Sequence, residues 1–251
     1  MRHELKYLIP NRERERLSKV ISEYTVRDPH AGAGGVYTVR SIYLDTSRGA
    51  HYAAKMEGVR ERMKVRIRGY NQTAADQRVS LELKRKSAAT AWKRRAHLEL
   101  HNIGPWLRGD IDIPEFDDPD AARTFKYFIL RHHLKPAVLV VYEREAFESQ
   151  HDPTLRITFD TALRGRLTAH IERLPAKAPV TVFDNHFILE VKFDYHFPSW
   201  MKPLLARLGA QRKALSKYTL TMDACACATH GRRASFAGGR VLRPGLMQTS
   251  V

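Results

Sequence analysis

The sequence predicts an α+β fold in which strands dominate, and three observations carry that expectation. Most segments between turn residues alternate polar and apolar side chains, as strands with one buried face do. Only a few stretches show helical spacing. One parity of nearly every strand is charged, mostly with Lys and Arg. A chain of 251 residues with 43% hydrophobic content is long enough to bury a core.

Taken in order, residues 3–8 alternate, with Glu4 and Lys6 opposed to Leu5 and Tyr7. Behind Pro10, Asn11 to Tyr24 places Leu17, Val20, Ile21 and Tyr24 on one helical face. Residues 36–45 form the next strand, and Asp45 faces either the polar side of the sheet or a turn with Thr46 and Ser47. Residues 60–70 put Arg62, Lys64, Arg66 and Arg68 on one face and Met63, Val65 and Ile67 on the other. In 79–86, Glu82, Lys84 and Lys86 oppose Leu81 and Leu83, and in 93–100 Lys93, Arg95, His97 and Glu99 share a parity. Asp120 to Leu134, entered through Asp118-Pro119, is a second helix with Ala121, Phe125, Phe128 and Ile129 inward. Strands follow at 137–147, at 154–160 with Arg156, Thr158 and Asp160 on one parity, and at 186–194 with Glu190 and Lys192 opposed to Leu189, Val191 and Phe193. Trp200 to Leu208 and Ser216 to Ala224 complete the helices, and glycines with isolated arginines from His230 onward predict a disordered tail. The expected organisation is a folded domain over 1–228 and a basic tail over 229–251.

The formal net charge is +16, and the tail holds only four arginines of it, so the folded part is itself strongly basic. Such a balance argues for a polyanionic partner. No 18-residue apolar stretch occurs and the N-terminal apolar run is too short for a signal peptide, which predicts a soluble, cytoplasmic protein. Cys225 and Cys227, two residues apart among small residues, suit neither a disulfide framework nor a zinc site.

Three strands repeat one unit, Glu4-x-Lys6, Glu82-x-Lys84 and Glu190-x-Lys192. A single such unit reads as a solvated surface with cross-strand ion pairs. Four cations on one face of one strand are different, because like charges side by side destabilise a sheet unless an anion compensates. A sheet closed into a barrel with this parity inward gives a tunnel that holds a chain of phosphates. Guanidinium forks contact the chain bidentately, and the few carboxylates anchor a divalent metal.

At this point the sequence resembles the triphosphate tunnel metalloenzymes, also called CYTH-like proteins, and within them the VTC-type polyphosphate polymerase domain. The elements that carry the resemblance run in order over about residues 2–220. They are Glu4-x-Lys6-Tyr7 after Arg2, Ser41-x-Tyr43-Leu-Asp45, Arg62-x-Lys64-x-Arg66-x-Arg68-x-Tyr70, Leu81-Glu82-x-Lys84, Lys93, Tyr142-x-Arg144, Arg156-x-Thr158-x-Asp160, Leu189-Glu190-x-Lys192 and Ser216-Lys217-Tyr218. The resemblance implies a closed, eight-stranded antiparallel barrel with helices packed outside. It implies that Lys6, Arg66, Arg68, Arg144 and Arg156 act on the transferred phosphoryl group, and that Lys84, Lys93, Lys192, Ser216 and Lys217 bind phosphates. Glu190, assisted by Glu82, holds Mg²⁺ or Mn²⁺ in the same picture. The implied activity is transfer of the ATP γ-phosphate to inorganic polyphosphate, with export of product left to a separate membrane partner. Arg2 stands where hydrolytic relatives have the first Glu of Glu-x-Glu-x-Lys, which favours the polymerase branch. Ala214 replaces a Lys of the family, and Leu44 a Phe.

Two other readings compete. Water as acceptor turns the same site into a triphosphatase. A non-catalytic module binding RNA or polyphosphate also fits the charge. Single-strand RNA binding wants aromatic rings among the cations, and residues 60–95 offer only Tyr70 and Trp92, so no nucleic acid is expected.

Overall fold

The computed structural model describes residues 3–31, 34–71, 74, 76–87, 91–111, 116–231, 235–237 and 240–242; Arg2 and the end of the tail lie outside them. The strands are β1 (His3–Pro10), β2 (Val26–Arg27), β3 (Val36–Asp45), β4 (Arg62–Tyr70), β5 (Arg78–Lys86), β6 (Ala91–Glu99), β7 (Lys135–Glu148), β8 (Arg156–Leu167), β9 (Val180–Thr181) and β10 (His186–Phe193). They form one antiparallel sheet in the order β1-β10-β8-β7-β3-β4-β5-β6, with the short β2 on β7 and β9 on β8. Helices α1 (Arg14–Ser22), α2 (Ala50–Met56), α3 (Leu100–Arg108), α4 (Pro119–Arg131), α5 (Met201–Arg207) and α6 (Lys217–Thr229) connect and follow them.

The eight-strand path curls. Lys84 on β5 interacts electrostatically with Glu4 on β1 and Lys192 on β10, and Lys64 on β4 with Lys6 on β1. On a flat sheet the five steps from β5 to β10 would span roughly 24 Å, too far for charges to act through solvent. The expected closure is not reached by hydrogen bonding, however, because no β1–β6 ladder occurs among the described residues. Both edge strands carry charged side chains, Glu4 and Lys6 on β1 and Lys93 and Arg95 on β6, and charge on a sheet edge disfavours further pairing.

Apolar side chains of the outer parity pack beneath the helices. Ile67, Leu81, Leu83 and Ala96 meet Ile103 and Trp106 of α3 and Phe125 and Ile129 of α4. Ile157, Leu189 and Val191 meet Leu17 and Ile21 of α1 and Met201 and Leu205 of α5. The start of α4 follows its sequence signal, with Asp118 Oδ1 accepting from the Ala121 amide at 2.8 Å and Pro119 in the first turn.

Helix α6 departs from the expectation that every helix lies outside. It packs against Tyr43, Val138, Val140, Tyr142 and Leu163 through Tyr218, Ala224 and Cys225, and the β3 and β7 residues in that set share a parity with Ser41 and Arg144. That parity is the cationic, concave one, so α6 fills one end of the concave face. The approach is close enough that a Cβ on Gly165 of β8 would come within 2.0 Å of Thr221 Cγ2. Both cysteines are free and buried on this helix, and burial pushes the Cys225 thiol up to about 11, which makes it inert.

The tail is not wholly without order. β11 (Ser235–Ala237) pairs with β12 (Arg240–Leu242), the two separated in sequence by Gly238 and Gly239, a dipeptide that favours hairpins. No helix among the described residues is long and apolar enough to cross a membrane.

Candidate functional site

Strand register decides which polar side chains meet. Across β3, β4, β5 and β6 the pairs Tyr43↔Arg66, Arg66↔Glu82 and Glu82↔Arg95 form one row. Lys64↔Lys84 and Lys84↔Lys93 form the next. Across β1, β10 and β8 the row is Lys6↔Glu190 and Glu190↔Thr158, followed by Lys192↔Arg156, while Arg144 of β7 pairs with Asp160. The alternation read from sequence therefore assembles into two walls of one concave face.

Guanidinium groups build the β4–β5–β6 wall. Glu82 is 1% exposed, and its Oε2 accepts from Arg66 Nε at 2.9 Å and Nη2 at 2.6 Å, while Oε1 accepts from Arg95 Nη2 at 2.9 Å. Arg68 Nη1 lies 4.0 Å from the same oxygen, and Arg68 Nε donates to Ser41 Oγ at 3.2 Å. Burial alone would raise the Glu82 carboxyl, but Arg66 and Arg68 hold it far below the usual range. Arg66 also donates to the Tyr43 hydroxyl at 3.0 Å. Burial pushes that phenol up, yet Arg66, Lys64 and Arg68 outweigh it and bring it down to about 7. Lys64 and Lys93 are each brought down to about 8, first by burial and then by neighbouring cations. This wall holds more positive charge than it can neutralise.

The β1–β10–β8 wall is built differently. Glu190 is contacted by two ammonium groups, Lys192 at Oε1 and Lys6 at 3.6 Å from Oε2, and Lys6 also reaches Glu4 at 2.7 Å. Asp160, fully buried, accepts a fork from Arg144 at 2.6 and 2.8 Å and contacts Lys217 at 2.5 Å. Burial raises the Glu190 carboxyl, but Lys6, Lys192, Lys217 and Arg144 keep it well below its ordinary value. Two further carboxylates, Glu4 and Asp160, each feel the charge of Glu190 here. Opposite Glu190 in the ladder, Thr158 Oγ1 is buried with no hydrogen-bond partner. Tyr142 lies under this group, with Arg144 5.3 Å and Lys217 4.8 Å from its ring centre.

Eleven of the twelve site residues expected from sequence stand in these rows or in direct contact with them: Lys6, Arg66, Arg68, Glu82, Lys84, Lys93, Arg144, Arg156, Glu190, Lys192 and Lys217. Arg156 stands at the edge, contacting Glu148 and, at 2.5 Å, Asp28. Ser216 is apart: its buried Oγ has no partner and lines a cleft beside the concave face. Glu82 and Glu190 fall in separate ion clusters, so they do not converge as a pair. Sequence reasoning did not give Tyr43, Lys64, Asp160 or Tyr142 site roles, although the parities they share with Ser41, Arg66, Arg156 and Arg144 were the available signal. Asp45 proves to be a turn residue. It accepts from the Thr46, His51 and Tyr52 amides and from the Tyr218 hydroxyl at 2.5 Å, which ties α6 to α2.

A resident metal cage is absent among the described residues, where no group of three or more His, Cys, Asp or Glu could hold an ion. A hard divalent cation that shares its coordination with substrate phosphates needs only one or two carboxylates. Glu190 fits that role, with the unpartnered Thr158 hydroxyl and two further carboxylates beside it.

A crystal structure of a Bacillus halodurans protein, described as a candidate adenylate cyclase, is similar at 14% identity with a TM-score of 0.48, covering 85% of this chain and 92% of that one. A Pyrococcus horikoshii protein aligns at 15% identity and a TM-score of 0.41, covering 87% and 97%. No curated protein matches the chain. The family model of the VTC domain matches residues 1–226, from before β1 to within α6, and the chain belongs to the VTC domain family.

Proposed function

We propose that the concave face binds the triphosphate of ATP and transfers its γ-phosphoryl group to the end of a polyphosphate chain, with Mg²⁺ or Mn²⁺ bound at Glu190. The observation that carries this reading is the row of cations side by side on β4, β5 and β6, where Lys64, Lys84 and Lys93 pair across the ladders and each ammonium is depressed by partial burial and by nearby cations, Arg66 among them. Such a face is electrostatically strained until an anion enters.

Phosphoryl transfer asks little covalent chemistry of a protein, so positioning and charge neutralisation suffice. Arg66 and Arg68, aligned by Glu82 and Ser41, present forks to the donor phosphates. Lys6 and Lys192 supply mobile ammonium groups that leave Glu190 for phosphate oxygens. Arg144, fixed by Asp160, faces the group in transfer. A chain-end oxygen attacks the γ-phosphorus, the bond to the β–γ bridging oxygen breaks, and ADP leaves with the electron pair. The divalent ion, when bound, neutralises charge developing on the phosphate oxygens. On this reading side chains of β1, β5 and β10 would close around the phosphates where the backbone ladder leaves the sheet open.

The test is incubation of the purified chain with ATP and Mn²⁺, following free phosphate and polyphosphate together. Polyphosphate formation is the expected result. Phosphate release without polyphosphate makes the chain a triphosphatase instead, and the absence of both products overturns the proposal.

A further inference from the structure

Beside the concave face lies a cleft of about 560 Å³, lined by Lys55 of α2, Arg62 at the start of β4, Arg212 and Lys213 of the loop before α6, and Ser216 and Thr219 at the start of that helix. None of the four cations has a carboxylate partner among the described residues. The one acid in the lining, Asp223, already accepts from Tyr52 at 2.5 Å. Ser216 Oγ, in a residue only 3% exposed, has no hydrogen-bond partner and does not cap the helix that it precedes. Positive charge, an orphaned hydroxyl and the positive end of a 13-residue helix therefore converge on one space.

The cleft joins the site already described. Lys55 and Arg62 also line a small cavity with Tyr43, Lys64 and Tyr218. The Lys55 ammonium is destabilised by burial, then by Arg62 and Lys6. Lys213 donates its amide to the Lys6 carbonyl at 2.8 Å, which ties the loop to β1.

Resting on the triphosphate reading, we infer that this cleft is a second phosphate-chain site, which holds the continuation of a long polyphosphate whose other end lies on the concave face. A linear chain of phosphates fits the lining better than RNA does, because no aromatic ring among the lining residues offers a base a stacking surface. The lane makes affinity depend on chain length: tripolyphosphate fills the concave face alone, and longer chains gain the cleft as well.

Two double variants, Lys55→Ala/Arg62→Ala and Arg212→Ala/Lys213→Ala, test it by calorimetric titration with tripolyphosphate, long-chain polyphosphate and single-stranded RNA of matched charge. Unfolding midpoints show whether each variant is folded. Each double variant is expected to weaken long-chain binding about tenfold or more and tripolyphosphate binding less than about twofold. Equal losses for both phosphates would merge the cleft with the concave site and overturn the inference. So would no loss, no preference of the parent chain for long polyphosphate, or an RNA loss as large as the polyphosphate loss. Failure of the parent chain to bind tripolyphosphate at all would remove the triphosphate reading itself, a result distinct from these.

Discussion

The two walls of the concave face carry the same kinds of charge and use them differently. On the β4–β5–β6 wall a single carboxylate, Glu82, is shared by Arg66, Arg68 and Arg95, with both oxygens taken by guanidinium groups. On the β1–β10–β8 wall Glu190 is contacted by the ammonium groups of Lys6 and Lys192, and two more carboxylates stand nearby. A guanidinium fork is planar and preorganised, whereas an ammonium is a point charge on a flexible stem. On the proposed reading the first wall would be a fixed template for phosphate oxygens, and the second would rearrange, releasing a carboxylate to a metal as its lysines turn to the phosphates.

The largest expected effect comes from exchanging the walls' carboxylates for amides. Glu82→Gln should destabilise the fold by about 3–5 kcal/mol, because it strands buried guanidinium charge. Glu190→Gln should lose less stability, since Glu4 and Asp160 remain to balance its lysines, yet it should abolish metal-dependent turnover. Denaturant unfolding and turnover measured on both variants check this, and equal stability losses would erase the distinction between the walls.

A smaller effect isolates the lysine wall. Gly165→Ala puts a methyl group against Thr221 and lifts α6, the helix that delivers Lys217 to Asp160, at a cost of about 1–3 kcal/mol. Turnover should fall while the Arg66–Glu82 cluster keeps its geometry, which NMR of the guanidinium groups can follow.

The smallest effect is a pH dependence centred on the β4–β6 wall. Lys64 and Lys93 titrate near 8 in the folded chain against an ordinary value of 10.5. Between those pH values the unfolded chain binds more protons, so stability of the ligand-free protein should rise with pH over that window. A bound anion restores both lysines toward their ordinary value and protonates Tyr43, which otherwise titrates near 7. Tripolyphosphate binding at pH 8 should thus take up protons and weaken as pH rises further, and Tyr43→Phe should reduce the uptake. Calorimetry in buffers of different ionisation enthalpy reads the proton count.

How much of this was legible in the sequence differs between the walls and the helix that ends them. Alternation fixes the face of Arg66, Glu82 and Glu190 because the side-chain period of a strand is two, and the register then needs only the order of strands. That order brings Glu82 to Arg66 and Glu190 to Lys6, and nothing local in the sequence separates the two carboxylates by role. Helix α6 was harder. Tyr218, Leu220, Ala224 and Cys227 are buried together with Thr219, Thr221 and Asp223, so it has no polar face to announce which side of the sheet it packs on. Helix α3 contains Gly104 and Pro105 and was not expected. That β1 and β6 form no ladder among the described residues follows from strand order and curl, which no local pattern in the sequence carries.

The location of a divalent cation tests the central claim most directly. Crystals grown with Mn²⁺ and tripolyphosphate, measured for anomalous scattering, should show manganese against Glu190 and phosphate oxygens, with Glu82 still bound by Arg66 and Arg95. Manganese against Glu82, or tripolyphosphate bound away from Arg66 and Arg68, would contradict the account.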